Sequence, residues 1–293
     1  MPSKVVNFYS TGDYDIDNLV GIYNHFIMFS KEALPVEELA CALPLKWDEM
    51  VFPGFDSARY PGAKFGGLPK KWVITDYEKS SYYVDLQKIG GNDLDGYLGS
   101  LSPNTRSQIR RSIKSYEVWG KVNVTMAESQ DEAAAMLEQL YSFIKIRKAS
   151  KRIRPSINEF FQEFHGRLLQ ERFRHGEIQL LKIQAGKELI GYIYNHVYDG
   201  VVYFYQCGFN YLQDNKIRPG LVSHTAAIVM NKKLGYRLYD FGPGTDRYKR
   251  SLSNGSTTMN WVRLLRPSLK MKLFKWLKEM KEELRFASRH HKK

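Results

Sequence analysis

The chain has 293 residues, with 44 Lys and Arg against 31 Asp and Glu, a net charge of +13, and 43% hydrophobic residues. That length allows one large or two small domains, and the ordinary apolar fraction argues against disorder beyond the termini. The positive excess suggests an anionic partner (a phosphorylated cofactor, a nucleic acid or a membrane surface), although a merely solvated surface has the same balance.

The first hundred residues read as loop-rich. A short strand is expected at 5–9, followed by an acidic turn, Asp13-x-Asp15-x-Asp17. That run has the alternation of a calcium loop, but Asn18 and Asn24 stand where glycine and glutamate are needed, so calcium is not expected. Helices are predicted over 19–26 and 35–41, a strand at 49–52, a Gly/Pro-rich break at 53–69, and two strands at 71–75 and 82–86. Ser102-Pro103 opens a helix, with serine as cap and proline in the first turn. Arg106, Arg110, Arg111 and Lys114 give that helix one basic face. A strand at 122–127 and an amphipathic helix at 131–148 follow. Ser156 and Glu159 form a capping box for a further helix, which His175-Gly176 ends.

Segments 178–184, 189–198 and 201–209 are short β runs joined by Ala185-Gly186-Lys187 and Asp199-Gly200, the pattern of an antiparallel meander. Tyr192, Tyr194, His196 and Tyr198 alternate onto one face. Pro219 to Leu234 reads as a helix capped by Gly235, and 236–241 as a strand leading into Gly242-Pro243-Gly244 and the pair Tyr248-Lys249. A last strand is expected at 259–265. The tail, 268–286, is a basic amphipathic helix with Leu269, Leu273, Trp276, Leu277, Met280 and Leu284 on one stripe. It could pack on the domain, lie on anionic lipid or grip tRNA.

The two cysteines, Cys41 and Cys207, are far apart and lie in no CxxC or Cys/His grouping, which argues against a disulfide scaffold and a structural zinc. No apolar h-region begins the chain and no run is long enough to cross a bilayer. The expected setting is the cytoplasm, with contact to the inner membrane face left open.

The order of elements from 101 to 265 resembles the GNAT acyltransferase fold. Within it, Ser102-Pro103 with Arg106 and Ile109-Arg110-Arg111, then Arg218-Pro219-Gly220, Gly235, Asp240-Phe241-Gly242 and Tyr248-Lys249, resembles the cellulose-biosynthesis-type (CelD-like) acetyltransferases, a branch similar to the Fem-type aminoacyltransferases. The resemblance implies an α+β fold with a mixed, largely antiparallel sheet flanked by helices. It also implies a truncated GNAT-like half over 1–100, an acyltransferase domain over 101–265 and a separate tail over 266–293.

The same resemblance assigns candidate roles. Unpaired amides at a helix start bind a diphosphate, which points to Lys216, Arg218 and Gly220 for the donor, acetyl-CoA or a longer acyl-CoA. Gln206 and Asn210 stand beside the place where this fold's strands part and the donor arm binds. Lys249 would offset charge developing at the reacting carbonyl, and Tyr248 would position the acyl group or donate a proton. Asp240 would orient Lys249, act as a base or, as the preferred reading, cap the turn through the following amides. Tyr203 and Tyr205 would line the acceptor cleft, His196 could serve as a general base, and Arg106, with Arg110 and Arg111, could hold phosphate or a carboxylated acceptor. Asp-Phe-Gly also occurs in kinases, but the other kinase motifs are missing. Three functions compete: acyl transfer from acyl-CoA to an amine, such as an amino sugar or a small amino compound; aminoacyl transfer from charged tRNA; and a non-catalytic adaptor. No metal is expected.

Overall fold

The structure is a computed structural model that describes residues 5–7, 48–56, 73–150, 159–211, 217–265, 268–273, 276, 277 and 280. The helices expected at 19–26 and 35–41, the acidic run at 13–17, the Ser156 cap, Cys41 and Lys216 lie outside the described residues. The elements in chain order are β1 (Val5–Asn7), β2 (Glu49–Asp56), β3 (Val73–Asp85), α1 (Leu94–Gly99), α2 (Pro103–Tyr116), β4 (Val122–Met126), α3 (Gln130–Ser150), α4 (Glu159–Arg172), β5 (Ile178–Ala185), β6 (Glu188–Tyr198), β7 (Val201–Phe209), α5 (Pro219–Lys233), β8 (Leu238–Pro243), α6 (Arg247–Leu252) and β9 (Gly255–Leu265).

The chain divides into two compact units, Lys79–Thr257 and the pair Met1–Glu78 with Thr258–Lys293. The boundaries therefore differ from those expected at 100 and 265. The reason is apolar: Val84, Leu86, Tyr97 and Leu98 are fully buried in the same core as Ile109, so residues 79–100 belong with the acyltransferase-like segment. In the other unit β1 runs parallel to β2, and β2 runs antiparallel to β9 with a register shift between Phe52 and Phe55 at Pro53-Gly54.

In the Lys79–Thr257 unit the strand order is β3-β8-β7-β6-β5-β4. All neighbours are antiparallel except β7 and β8, which are parallel. Local signals account for most of this. Ser102 accepts a bond from the Thr105 amide and starts α2. Asp199 and Gly200 both have positive φ, 46° and 68°, the geometry of a tight hairpin turn between β6 and β7. Gly235, at φ 84°, stops α5. Three expectations change. The two strands predicted at 71–75 and 82–86 are one strand, β3. A short helix, α1, capped by Asp93, precedes α2. The Tyr248-Lys249 pair lies on a helical turn, α6, and not on an open turn.

One sheet face packs on α5. Val222, Ala227 and Ile228 meet Ile183, Ile193, Val202, Tyr239 and Phe241 there, all buried. Each of the Val, Ile and Phe side chains among them contributes about 1.5–3 kcal/mol. A buried amide network fixes the register of α5. Gln179 Nε2 donates to Asn231 Oδ1 at 2.9 Å, Asn231 Nδ2 donates to Gln179 Oε1 at 3.2 Å, and Asn195 Nδ2 donates to Gln179 Oε1 at 2.8 Å. Fully paired polar groups of this kind admit one arrangement, because any shift strands them unpaired. The other face packs on α3 and α4. Gly208 marks how closely: a Cβ there would meet the Leu140 carbonyl oxygen of α3 at 2.5 Å.

Candidate active site

The site is built by a local failure of strand pairing. The parallel β7/β8 ladder joins Val201 to Leu238, Val202 to Tyr239 and Tyr203 to Asp240, and no later pair follows among the described residues, although both strands continue. On its other edge β7 pairs Phe204 with Asn195 and Gln206 with Tyr194, so Tyr205 is one residue too many. Such a bulge bends its strand and re-aims side chains. The result is a notch between β7 and β8 that opens beyond Tyr203 and Asp240.

The N-terminus of α5 belongs to the same unit, behind a loop that ends at Ile217-Arg218. Arg218 is its N-cap and makes no side-chain capping bond, and Pro219 is the first helical residue. Among the described residues no side chain caps the first turn, so the Gly220 and Leu221 amides stand at the positive end of the helix dipole. Gly220 has a packing reason as well, since a Cβ there would stand 3.3 Å from the Phe209 ring. The Arg218 guanidinium donates to Gln108 Oε1 of α2 at 2.6 Å. Arg106, half-buried, lies two residues before Gln108 on the same helix. Because α2 packs on α5, Arg106 stands on the α5 side and not with the tyrosines of the other face.

Asp240 is 1% exposed, and its Oδ1 accepts from the Gly242 amide at 2.8 Å and from Ser81 Oγ at 3.4 Å. It is thus a turn cap, the role preferred from sequence. Lys249 is buried; its Nζ donates to the Pro243 carbonyl at 2.9 Å and lies 3.8 Å from Asp246 Oδ2. Burial lowers its pKa, while Asp246, Asp240 and Cys207 favour the ammonium. Tyr248 stacks on His224 with centroids 5.3 Å apart and an interplanar angle of 17°, and burial raises its phenol far above the usual range. Cys207 is half-buried. Burial raises its thiol to about 12 despite the opposing charges of Arg147 and Lys249, so it is a neutral thiol and not a nucleophile at pH 7.

Asn210 does not turn its side chain into the notch, whereas Gln206 folds over the edge of β7 that faces away from β6. Gln206 Oε1 accepts from the Cys207 amide at 3.1 Å. Asn210 Nδ2 reaches the Leu189 carbonyl at 3.2 Å and Glu188 Oε1 at 3.3 Å, on the β6 side of β7 and away from β8. The amide of Asn210 closes the hairpin ladder instead.

The structure brings Tyr205 and His196 together on the α4 side, with centroids 5.0 Å apart, and Tyr203 pairs in register with His196. His165 of α4, fully buried, joins them. Its Nε2 lies 2.8 Å from Tyr205 Oη and its Nδ1 lies 3.1 Å from Tyr194 Oη. Burial, then the neighbouring His165, lowers His196 to about 3, so the imidazole is neutral at pH 7 and a weak base.

Three residues that the sequence did not single out belong to this region. His165 falls four residues after Phe161 and four before Leu169 on the buried face of α4, and that spacing was its only signal. His224 is enclosed by the rings of Phe204, Phe209, Phe241 and Tyr248. Its Nδ1 has no hydrogen-bond partner among the described residues, and burial followed by Lys249 lowers it to about 3. Arg147, near the end of α3, lies over the Tyr211 ring at 4.4 Å, and its charge acts on Cys207 and Tyr248. Its charge and that of Lys249 both act on Cys207. Among the described residues no group of three or more His, Cys, Asp or Glu could hold a metal ion.

The mixed, mostly antiparallel sheet flanked by helices is the GNAT fold. The family profile described as acetyltransferase (GNAT) domain matches residues 103–250, and the chain belongs to that family. No curated protein matches the chain in sequence. Three solved structures share the fold at low identity. A conserved protein of unknown function from Bacteroides thetaiotaomicron VPI-5482 is 12% identical with a TM-score of 0.52, over 79% of this chain and 73% of that one. L-PGS from Bacillus licheniformis is 11% identical with a TM-score of 0.53, over 82% and 75%. FemX is 12% identical with a TM-score of 0.51, over 82% and 76%.

Proposed function

We propose that this protein is an N-acyltransferase of the CelD-like branch that moves an acyl group from an acyl-CoA to the amine of an amino sugar or small amino compound. We place the reaction in the cytoplasm, on precursors of the cell envelope or of an exopolysaccharide. The observation that carries this reading is the β7/β8 notch together with the uncapped start of α5. The Gly220 and Leu221 amides would take the donor diphosphate, with Lys216, Arg218 and Arg106 supplying charge on that side. The unladdered backbone of β7 beside Gln206 and Asn210 would bond the donor arm. Lys249 would face the thioester oxygen as it gains charge, and Tyr248 would position the acyl group. The acceptor amine would approach past Tyr203 and Tyr205. It adds to the carbonyl, the carbon–sulfur bond breaks, and its proton leaves to solvent or to the weakly basic His196. Positioning would provide most of the acceleration.

The overall likeness to FemX and the charge of +13 favour a second reading, aminoacyl transfer from charged tRNA. Thermal unfolding separates the readings. A bound donor stabilises the folded state by about 2.7 kcal/mol at one hundred times its Kd. Acetyl-CoA or a longer acyl-CoA should therefore raise the Tm by several degrees, and dephospho-pantetheine fragments should raise it less. Retention of tRNA that weakens steeply with salt, with no response to any CoA ester, would assign the second reading. Response to neither would leave the adaptor.

A further inference from the structure

We propose that the segment following β9 docks this protein on an anionic lipid surface, with its apolar stripe in the headgroup boundary. The start of the segment is fixed to its own unit. Ser268 Oγ accepts from the Met271 amide at 3.1 Å, and the Ser268 carbonyl accepts from the Lys272 amide at 3.0 Å. Lys270 Nζ donates to Asp48 Oδ2 at 2.6 Å, and Met271 is only 4% exposed. These contacts decide which way the helical residues 269–273 face. At 3.6 residues per turn, Met271 lies roughly 200° around the axis from Leu269, on the opposite side.

That opposite side carries Leu269, Leu273, Trp276, Leu277 and Met280, spaced i, i+4, i+7, i+8 and i+11, a single stripe. Their exposures are 85%, 55%, 54%, 52% and 40%. The stripe that the sequence allowed to pack on the domain thus faces outward, while the anchored face is the one bearing Met271. Five large apolar side chains in a row on the surface mark an interaction site.

The charge selects the occupant. Residues 266–293 hold ten Lys or Arg against three Glu, a net +7. A second copy would bring the same +7 against itself. A nucleic acid would balance the charge and give the stripe no apolar partner. An anionic lipid interface supplies both. No described helix is long and apolar enough to cross a membrane, so the segment would lie on the surface and not span it.

The test is co-sedimentation of the full chain with vesicles of phosphatidylcholine alone and of phosphatidylcholine with 30% phosphatidylglycerol, beside the double variant Leu273→Ser/Leu277→Ser. The wild type should bind the anionic vesicles at least about tenfold more tightly than the neutral ones, and the double variant should lose at least about tenfold. Both substituted residues are exposed, so the variant should keep the wild-type Tm and the wild-type response to CoA esters. Equal binding by the variant, or no preference for the anionic vesicles, overturns the proposal. So does a dimer in light scattering that the double variant abolishes, or tRNA retention that the variant loses while vesicle binding is absent. Because the CoA response is read separately, failure here leaves the acyltransferase reading standing.

Discussion

Lys249→Ala should lower kcat about 100-fold while leaving the KM for the acyl donor within about threefold. Removing one preformed charge or donor aimed at a developing oxyanion costs about 10²–10³ in turnover, which is roughly 2.7 kcal/mol or more at the transition state. The ammonium suits that task because it is buried at the notch, where a charge acts through less water. Burial lowers the Lys249 pKa, and the neighbouring Asp246 and Asp240 oppose that shift. Lys249 also holds the Pro243 carbonyl, so the variant needs a structural control. Lys249→Arg retains the charge and should recover part of the turnover, whereas Lys249→Met should behave like the alanine variant at similar Tm. Steady-state kinetics on an identified acceptor reads both parameters. Wild-type turnover in a folded Lys249→Ala protein would remove the assigned role.

The second large effect concerns stability. His165→Leu should destabilise the Lys79–Thr257 unit by about 3 kcal/mol, because it strands the hydroxyls of Tyr194 and Tyr205 together. A buried group left unpaired costs about 1–3 kcal/mol, and Tyr194 is fully buried. For a unit of this size the Tm should fall by roughly 5–10 °C. The check is a cycle: in a Tyr194→Phe/Tyr205→Phe background the same substitution should cost much less, since no hydroxyl remains to be stranded. An equal cost in both backgrounds would show that the imidazole acts by filling space alone.

Much of the fold was legible because its signals are local. Ser102-Pro103, Asp199-Gly200 and Gly235 each impose a backbone geometry on their neighbours, and the meander and α5 followed from them. The notch was anticipated only through family resemblance. Its physical cause, the bulge at Tyr205, depends on how β7 registers against β6, and a run of alternating apolar residues does not reveal one residue in excess. His165 and Arg147 were missed for the same reason. Each sits on a helix whose own pattern is unremarkable in charge or polarity, and each acquires meaning from partners 29 to 64 residues away, Tyr194 and Tyr205 for the first and Tyr211 for the second. Gln206 and Asn210 were placed beside the parting of the strands, but strand alternation does not tell which neighbour each side-chain amide will bond. The tail shows the limit from the other side. Its stripe was plain in the sequence, but the face that is anchored depended on Lys270 meeting Asp48.

The most direct test is a crystal structure with coenzyme A or a non-hydrolysable acyl-CoA. The diphosphate should lie on the Gly220 and Leu221 amides, the pantetheine arm along the unladdered edge of β7, and the sulfur beside Lys249. Nucleotide bound elsewhere, or a notch filled by Phe204, Phe209, Phe241 and Tyr248 with no density at saturating ligand, would contradict it.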